Sequence, residues 1–580
     1  MKKLWKYLRP YRRESVLAPL FKLLESGMDL LVPVIVAAII NRGVGGNDTG
    51  LIVRYFALLV GLAAAGMAFS FAAQWMAAKA SVGFASRLRQ ALFDHIQGLP
   101  YRELDTLGTD TLITRMTSDV NQVQNGLNLA LRLLLRSPFI VFGAMIMAFT
   151  IDTKSAVTFA VVIPVLAVVV FGIMLASIPL FAKAQAALDR LLGHTRENLA
   201  GVRVIRAFCR EKDEVAEFDR RNALLTKLNE RVGRLSALMN PATFLLINIA
   251  AIFLIRAGAA QVESGALLQG DVVALYNYMA LIVTELVKLA SLIISMNKAL
   301  ACARRVQAIL GTESSMRYPE RLPEAETTET AVRFERVSFA YSEGADEALT
   351  DISVAVRRGQ TLGVIGGTGS GKSTFARLIP RFYDVTAGKV EVDGIDVRDY
   401  PEGELIRRVG VVPQQAVLFS GTVRENLKWG NPDATDGELW KALETAQAAE
   451  IVRGKDGELD AVIEQGGRNL SGGQRQRLTI ARALVKKPDI LILDDSASAL
   501  DFATDLALRR AVANLPGDMT VVIISQRASS VRNADRILVL DDGAAAGCGT
   551  HDELMASCPV YREIYYSQFP EERPETGVTA

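Results

Sequence analysis

Six long apolar segments fill the first half of the chain, and they limit its possible folds more than any other feature. They cover residues 15–41, 51–80, 122–150, 155–185, 232–260 and 270–300. Each reaches the roughly 20 residues that a helix needs to cross a bilayer. Buried helices of a large soluble domain are the alternative, but six such segments with few polar interruptions favour membrane crossing. We therefore predict a helical membrane domain with six transmembrane helices.

The connections between these segments differ in length and charge. Those at 41–50, 151–154 and 261–270 are short, whereas 81–121 and 186–231 are long and rich in charged residues. The excess of Lys and Arg at the N-terminus and in the long connections predicts that they lie in the cytoplasm. With an even number of crossings, both termini are then cytoplasmic. This pattern predicts a multi-pass protein of the cytoplasmic (inner) membrane.

The chain begins with MKKLWKYLRPYRR, in which basic and apolar residues alternate over residues 1–13. No short apolar region with a small-residue cleavage site follows, so we predict an amphipathic interfacial helix on the inner membrane surface rather than a signal peptide. The two long connections keep a helical periodicity, which predicts long cytoplasmic extensions. Their turning regions, 99–120 and 194–208, are candidate contacts to the C-terminal domain.

Several charged residues interrupt the predicted spans. They are Lys22, Glu25, Asp29, Arg132, Arg136, Arg256, Glu285 and Lys288. Each costs about 3 kcal/mol in lipid, so these side chains are expected to face a cavity or a partner. Glu285 and Lys288 are three residues apart and are predicted to pair on one helix face. Contact with a transported substrate, structural pairing and interfacial snorkelling all remain open for the set.

A phosphate-binding pattern marks the second half of the chain. Residues 361–383, TLGVIGGTGSGKSTFARLIPRFY, read as an apolar strand, a glycine-rich loop and a helix, and they match G-x-x-x-x-G-K-[ST]. Glycines let backbone N–H groups surround an anion, the lysine reaches the outer phosphates, and the next hydroxyl ligates Mg²⁺. The predicted nucleotide-binding residues are Gly366, Gly367, Thr368, Gly369, Ser370, Gly371, Lys372, Ser373 and Thr374. Of these, Ser373 is also the predicted metal ligand.

Further motifs in this half suit a nucleotide site. LSGGQ, residues 470–474, is a second glycine-rich turn that opens a helix, as an anion site requires. Asp494 ends the apolar strand ILILD, where a carboxylate can hold Mg²⁺ through water. Gln414 lies at the end of another apolar strand, and the ring of Tyr341 can stack on a base. Taken singly, Gln414 and Tyr341 also fit a surface amide and a core aromatic.

Length and composition set the domain organisation. A chain of 580 residues exceeds one core, and we predict a transmembrane domain at 1–311, a linker at 312–330, an α/β P-loop NTPase domain at 331–568 and a tail at 569–580. The net charge of +2 argues against nucleic acid as the main partner. The four cysteines are scattered, which indicates neither a metal site nor a disulfide framework.

Together these motifs resemble the ATPase domain of ATP-binding cassette (ABC) transporters over nearly the whole of 331–568. Six spans ahead of one cassette resemble a half-transporter of the exporter type. The resemblance implies a dimer that binds two ATP, each between the phosphate loop of one chain and the LSGGQ turn of the other. It further implies that Tyr341 stacks on adenine and that Gln414 senses Mg²⁺ and the attacking water. The residues implied to clamp the partner's ATP are Ser471, Gly472, Gly473 and Gln474.

Two residues depart from the family pattern. Asp495 stands where the family usually has Glu as general base, and Gln526 stands where a histidine is expected. A carboxylate drawn back by one methylene moves by roughly 1 Å, which can cost about 10²-fold in rate. Gln526 can donate a hydrogen bond but cannot carry a proton. Because LSGGQ is intact, the resemblance implies the attenuated half of a heterodimer, whose non-identical partner supplies the Glu and the His.

The leading prediction is therefore ATP-driven export of amphipathic small molecules, lipids or peptides, with membrane lipid as a further contact. The alternative is an ATP-gated channel or a regulatory subunit with little turnover, which Asp495 and Gln526 favour and the intact LSGGQ disfavours. A soluble cassette ATPase acting on DNA or ribosomes does not fit six spans. An importer is less favoured, because family importers commonly keep their membrane and ATPase domains on separate chains.

Overall fold

The computed structural model divides the chain into two compact units. The first comprises the residues up to Gln97 together with Gly108–Thr312, and the second comprises Gly98–Leu107 together with the residues from Glu313 onward. The structure describes residues 4–323, 328–342, 344–515 and 517–573. The short segment Gly98–Leu107 therefore belongs with the second unit, although it lies between two helices of the first.

Long helices build the first unit. In chain order, the helices of this half are α1 (Arg12–Ala38), α2 (Thr49–Gln97), α3 (Tyr101–Leu107), α4 (Thr109–Thr114), α5 (Val120–Leu133), α6 (Arg136–Ile151), α7 (Thr153–Ala200), α8 (Val202–Ala207), α9 (Glu211–Ala237), α10 (Met239–Glu263) and α11 (Gln269–Ile309). Two π-helical segments, Ile39–Val44 and Arg115–Asp119, continue α1 and join α4 to α5. Among the described residues, six helical rods are long and apolar enough to cross a membrane, which confirms the predicted helical membrane domain.

The rods extend well beyond a bilayer. Helix α2 has 49 residues and α7 has 48. At 1.5 Å per residue each is about 70 Å long, more than twice the roughly 30 Å of a hydrocarbon core. The charged connections of the sequence are thus largely continuations of the spanning helices, as their periodicity predicts.

Prolines shape the exceptions to this regularity. The predicted span 122–150 is interrupted between α5 and α6, because Pro138 lacks the N–H that would bond the carbonyl of Leu134. Near the N-terminus, where we predict an amphipathic helix over 1–13, the structure has two short 3₁₀ helices, Leu4–Tyr7 and Arg9–Tyr11. Residues 1–3 of this prediction lie outside the described residues. A proline at position 10 disfavours the α conformation of the residue before it, so the helix starts only at α1.

Helix α11 packs antiparallel along α5 and α6 in the centre of the first unit. A Cβ at Gly126 would lie 2.2 Å from the Cβ of Ala299, so the two helices approach as closely as small residues allow. The buried Tyr278 of α11 donates its hydroxyl to the carbonyl of Leu30 at 2.5 Å, which ties α11 to α1. These contacts hold three of the six rods together.

The second unit is an α/β domain. Its strands are β1 (Thr330–Phe339), β2 (Leu349–Arg357), β3 (Thr361–Gly366), β4 (Ala387–Val392), β5 (Ile395–Asp396), β6 (Val409–Val412), β7 (Gly421–Thr422), β8 (Val462–Ile463), β9 (Ile490–Asp494), β10 (Thr520–Ile524), β11 (Arg536–Asp541) and β12 (Ala544–Gly549). Its further helices are α12 (Lys372–Leu378), α13 (Glu404–Arg408), α14 (Val423–Lys428), α15 (Asp436–Thr445), α16 (Ala449–Arg453), α17 (Gly472–Val485), α18 (Phe502–Ala513), α19 (Ala528–Val531), α20 (His551–Ser557) and α21 (Pro559–Gln568).

The described residues of this domain form three sheets. The main sheet has the strand order β12-β11-β3-β10-β9-β6, and its strands are parallel except for β12. A four-stranded antiparallel sheet has the order β2-β1-β4-β5, and β7 pairs with β8. The strands β3, β9 and β10 are apolar almost throughout and buried, as parallel strands covered on both faces must be. Because β3, β10, β9 and β6 are adjacent and parallel, the loops after them meet at one edge of the sheet.

Candidate nucleotide-binding site

The glycine-rich loop between β3 and α12 has a backbone that only glycine fits. Gly369 and Gly371 have φ angles of +83° and +91°, in the left-handed region. A Cβ at Gly371 would lie 2.5 Å from the carbonyl oxygen of Ala348, and one at Gly366 would lie 2.1 Å from that of Leu540. The glycines of the motif are thus required by the loop's conformation and by its close contacts with neighbouring strands.

Lys372 is buried at the start of α12. Its Nζ donates to the carbonyl oxygens of Gly366 at 2.9 Å and Gly367 at 2.5 Å, and to Oγ of Ser370 at 3.3 Å. Burial lowers the pKa of this ammonium, while the nearby aspartates after β9 act in the opposite direction. Since carbonyl and phosphate oxygens are both acceptors, the loop and its lysine fit a phosphate chain.

A hydroxyl and a carboxylate suited to Mg²⁺ lie next to this lysine. Ser373 donates its hydroxyl to Oδ1 of Asp494 at 2.9 Å. Burial raises the pKa of Asp494, and the Ser373 hydrogen bond and the charge of Arg377 partly offset the effect. Hard oxygen atoms of this kind are the ligands that Mg²⁺ prefers, so these residues fit the ion.

Asp495 follows directly, with a φ of +44°. The amide Nε2 of Gln414 donates to its Oδ2 at 3.2 Å. Burial raises the pKa of Asp495, and the bond from Gln414 and the charges of Lys372 and Arg527 oppose this. The carboxylate is therefore a somewhat stronger base than one in water, and an amide holds its orientation.

One cavity of about 330 Å³ brings most of the predicted residues together, although Gly366 and Gly367 are not among the residues that line it. Its lining comprises Tyr341, Thr368, Gly369, Ser370, Gly371, Lys372, Ser373, Thr374, Gln414, Asp494, Asp495 and Gln526, together with Ala348 and Ile524. Each of the strands β3, β6, β9 and β10 contributes lining residues at or just after its carboxyl end. Thr368 and Gln526, which are 158 positions apart in sequence, thus share one site because the strands before them are parallel neighbours.

Tyr341 stands at the edge of this cavity. Its hydroxyl lies 3.0 Å from Oγ1 of Thr374, and its ring is edge-on to the rings of Phe339 and Tyr383. The ring is 36% exposed, so one side remains open to a ligand. Arg377 approaches the hydroxyl at 3.4 Å. Sequence reasoning missed this arginine, whose only signal is its position one turn after the phosphate-loop hydroxyl.

The LSGGQ turn opens α17 as a capped helix N-terminus. Oγ of Ser471 accepts from the backbone N–H of Gln474 at 3.3 Å, and the Gln474 side chain accepts from the N–H of Ser471 at 3.0 Å. The residues described as lining the 330 Å³ cavity do not include any from this turn. The turn thus contributes nothing to its own chain's phosphate-loop cavity, and it presents a separate helix end that suits an anion.

Two side chains that sequence reasoning missed connect these parts. Gln476, buried within α17, donates Nε2 to the carbonyl of Pro413 at 3.2 Å, just before the cavity glutamine. Arg527 donates to the carbonyls of Ala497 at 3.2 Å and Leu500 at 3.3 Å, in the turn that follows the two aspartates. In the sequence both resemble ordinary polar residues beside a motif. Only the packing shows that they link the LSGGQ helix and the aspartate turn to the cavity walls.

Helix α3, within the turning region 99–120, packs on the nucleotide-binding unit to which it belongs. The ring of Tyr101 stacks on Phe382 with 4.5 Å between centroids, and Tyr383 donates its hydroxyl to Oδ2 of Asp105 at 2.5 Å. Burial and the Asp105 carboxylate raise the pKa of Tyr383. Tyr383 thus lies between α3 and Tyr341, whose ring centroid is 5.3 Å from its own.

Comparison with known proteins identifies both parts of the chain. Residues 15–286 match the ABC transporter transmembrane region, and residues 349–498 match the ABC transporter family model. The solved structure of a bacterial Atm1-family ABC exporter with ATP bound shares the fold, with a TM-score of 0.82 and 23% identity over 96% of this chain and 99% of that one.

Relatives extend over the full length. An uncharacterized ABC transporter ATP-binding protein of Mycobacterium tuberculosis (strain H37Rv) is 38% identical, with 97% of each chain covered. The Bacillus subtilis protein YgaD, named as a candidate multidrug export ATP-binding/permease protein, is 30% identical over 98% of this chain and 99% of its own. The chain therefore belongs to the ABC transporter family, with a multi-pass membrane domain fused to an ATP-binding domain.

Proposed function

We propose that this chain is one half of a dimeric exporter that moves amphipathic small molecules, lipids or peptides out across the cytoplasmic membrane at the expense of ATP. The observation that carries the proposal is the single cavity in which all the phosphate-loop, aspartate and glutamine motifs meet, in a chain that also has six spanning rods. The name of YgaD, which refers to multidrug export, supports the substrate class. Both termini and the nucleotide-binding unit are cytoplasmic in this proposal, on the charge pattern of the connections.

The cavity residues divide the work of holding ATP. Lys372 exchanges its bonds to the loop carbonyls for bonds to phosphate oxygens. Ser373 and Asp494 hold Mg²⁺, which supplies positive charge against the phosphates when bound. Tyr341 offers its open ring face to the adenine, since its hydroxyl is already directed to Thr374. Gln414 orients Asp495 and the attacking water.

Hydrolysis at this chain's own cavity is slow in the proposal. Asp495 is held by Gln414 at the cavity wall, and its side chain is one methylene shorter than the glutamate usual in the family. Gln526, exposed after β10, can donate to a phosphate but cannot accept and carry a proton. Misplacement of a general base by about 1 Å costs roughly 10²-fold in rate. ATP therefore stays bound at this loop for many cycles.

A second chain completes the exporter. The intact LSGGQ turn contributes nothing to its own cavity, so it serves a nucleotide held by another chain. The second turning region also exposes apolar side chains that need a cover: Leu199, Val204 and Phe208 are 71%, 60% and 73% exposed. We infer that the partner is non-identical and supplies the glutamate and the histidine that this chain lacks.

The first test compares ATP hydrolysis by the purified full-length chain with that of its Asp495→Glu variant. We expect the chain alone to turn over far below the 1–10 per second that is ordinary for enzymes. The longer carboxylate is expected to raise the rate by about tenfold or more, with unchanged affinity for ATP. Asp489→Asn, which changes an exposed carboxylate just before β9, is the control and leaves the rate unaltered.

Brisk hydrolysis by the unaltered chain alone would contradict the attenuated site. ATP-dependent uptake of a fluorescent dye into everted vesicles tests export itself. Single-channel currents without uptake would instead support an ATP-gated channel, which the weak catalytic groups favour as a second candidate.

A further inference from the structure

Four charged side chains form one connected ion chain across three spanning helices. Arg136 of α6 donates to Asp29 of α1 at 3.2 Å and lies 3.5 Å from Glu285 of α11, which in turn pairs with Lys288 at 2.8 Å. The last contact confirms the predicted pairing of Glu285 with Lys288. The ion chain (Asp29, Arg136, Glu285 and Lys288) therefore has two positive and two negative members and no net charge.

Two of the three helices, α11 and α6, place the ion chain at the same depth. Glu285 lies 16 residues after the start of α11, and Arg136 lies 15 residues before the end of α6. At 1.5 Å per residue both are about 22–24 Å from the helix ends at the short connections. A hydrocarbon core is roughly 30 Å thick, so the ion chain sits in the leaflet on the side of the long extensions, near its headgroups.

The middle of the ion chain is closed and its ends are open. Glu285 is 3% exposed, and its second oxygen accepts from the hydroxyl of Ser137 at 2.8 Å. Asp29 and Lys288, in contrast, are 41% and 44% exposed. Within the described residues no hydrogen bond reaches Oδ1 of Asp29, and Nζ of Lys288 donates only to Glu285. One end thus keeps a free acceptor, and the other keeps N–H groups to donate.

Near the headgroups these charged side chains avoid the cost of about 3 kcal/mol that a charge has at the bilayer centre, because they reach water or lipid headgroups. The two open ends are therefore exposed to water and to the polar heads of amphiphiles. A molecule with a single charge would satisfy one end and leave the other unpaired. A polar head that carries a cationic and an anionic group together would complement Asp29 and Lys288 at once. At this depth such a head would belong to a molecule entering from the leaflet on the side of the long extensions.

We propose that the exposed ends of the ion chain bind the polar head of the transported molecule and select zwitterionic amphiphiles. The inference rests on the proposed export function and specifies its substrate class. Glu285, Ser137 and Arg136 are positioning residues, which hold the two ends in place. The apolar tail remains among the apolar side chains of the spanning helices.

The test uses three probes with the same six-carbon tail and different heads: hexylphosphocholine, hexyltrimethylammonium and hexyl phosphate. The full-length chain, as its functional dimer in lipid vesicles, is assayed for the probe concentration that half-maximally stimulates ATP hydrolysis. We expect the zwitterionic probe to act at a concentration about tenfold lower than the other two.

Single-charge variants then change the ranking. Lys288→Gln leaves the ion chain with a net negative charge and is expected to make the cationic probe the strongest. Asp29→Asn leaves a net positive charge and is expected to favour the anionic probe. Lys227→Gln, at an exposed lysine of α9 outside the spans, is the matched control and keeps the original ranking. A purely structural role would weaken all three probes together without changing their order.

The outcomes separate this inference from the export function. An unchanged ranking in both variants, with ATP still bound, would overturn the zwitterion site while leaving export intact. Loss of the dimer in either variant would show that the open ends face the second chain, which also overturns it. Failure of the unaltered dimer to transport any amphiphile would instead overturn the proposed export.

Discussion

At the scale of single residues, burial in the folded domain disfavours the charged forms of Asp494 and Asp495, at the end of β9. Burial raises the pKa of both Asp494 and Asp495. A carboxyl with a higher pKa in the folded than in the unfolded chain binds protons more tightly when folded. Its contribution to stability is complete below the unfolded pKa and is lost as the pH rises through the folded value. At neutral pH these groups therefore destabilise the unliganded domain, which Mg²⁺ and ATP can offset.

Asp494→Asn tests this balance. The amide oxygen keeps the hydrogen bond from Ser373 but removes the buried charge. We expect the Tm of the unliganded protein to rise at pH 7.5, and this rise to shrink as the pH falls, because the raised pKa lets the native carboxyl take up its proton in the folded chain. The concentration of Mg²⁺ and ATP that raises the Tm half-maximally should increase by at least about tenfold, because a charged oxygen ligand of the metal is lost. Thermal unfolding with and without nucleotide measures both effects.

The outcome that would contradict this account is a lower Tm for Asp494→Asn than for the native chain at pH 7.5. Asp489→Asn is again the control, because that carboxylate is exposed at the opposite end of the same strand.

At the scale of elements, α11 is fastened to the rod that contains α5 and α6 at three levels. Asp119, buried in the π-helical segment, accepts from Nη2 and Nε of Arg305 at 2.6 and 2.9 Å and from Arg115 at 2.9 Å. Gly126 meets Ala299 further along, and Ser137 meets Glu285 at the ion chain. The two antiparallel rods therefore form one stiff pair from their extensions into the membrane.

A double-mutant cycle on Asp119→Asn and Arg305→Gln measures the coupling free energy of the ion pair between Asp119 and Arg305. Arg305→Gln is expected to lower the free energy of unfolding by up to about 3 kcal/mol, because the buried Asp119 then keeps only Arg115 as a charged partner among the residues that the structure describes. Asp119→Asn is expected to cost less, because the Arg305 side chain is 44% exposed. The coupling energy should exceed about 1 kcal/mol. Unfolding in mixed micelles gives these values. The exposed pair Glu230 and Arg234 on α9 is the comparison, with an expected coupling below about 1 kcal/mol.

The same contacts mark where sequence reasoning ends. The phosphate loop, Asp494 and Gln414 were predictable, because each follows an apolar strand and parallel strands bring their ends together. Glu285 and Lys288 were predictable because helical spacing alone brings them close. The other two members of the ion chain were visible only as charges within spans. Their partners are about 107 and 150 positions away, and only helix packing decides such contacts.

At the scale of the whole molecule, the nucleotide-binding unit includes a helix encoded between two membrane helices. The chain leaves the first unit after Gln97, contributes α3 to the second and returns at Gly108. A row of contacts runs from α3 to the edge of the ATP cavity. It consists of the Asp105 carboxylate, the Tyr383 hydroxyl and the ring of Tyr341. Occupation of the cavity can therefore reach the covalent link to the membrane helices through Tyr383.

Tyr383→Phe tests this connection. The change removes the hydrogen bond to Asp105 but keeps an aromatic ring against Tyr101 and Tyr341. We expect ATP affinity to stay within about twofold and the number of molecules transported per ATP hydrolysed to fall several-fold. Tyr318→Phe, whose hydroxyl contacts only Met316 among the described residues, is the control. Equal transport per ATP in the Tyr383 variant and the native dimer would contradict the proposed connection.

The interleaving of the two units also has a consequence for biosynthesis. Asp105 leaves the ribosome 278 residues before Tyr383, whose hydroxyl donates a hydrogen bond to it in the folded chain. At 5–20 residues per second the nascent helix waits roughly 15 to 60 s before its docking surface is translated. During that interval Tyr101 lacks its stacking partner Phe382 and is accessible to chaperones and proteases. The nucleotide-binding unit can therefore be completed only after its C-terminal part is translated and packs on α3.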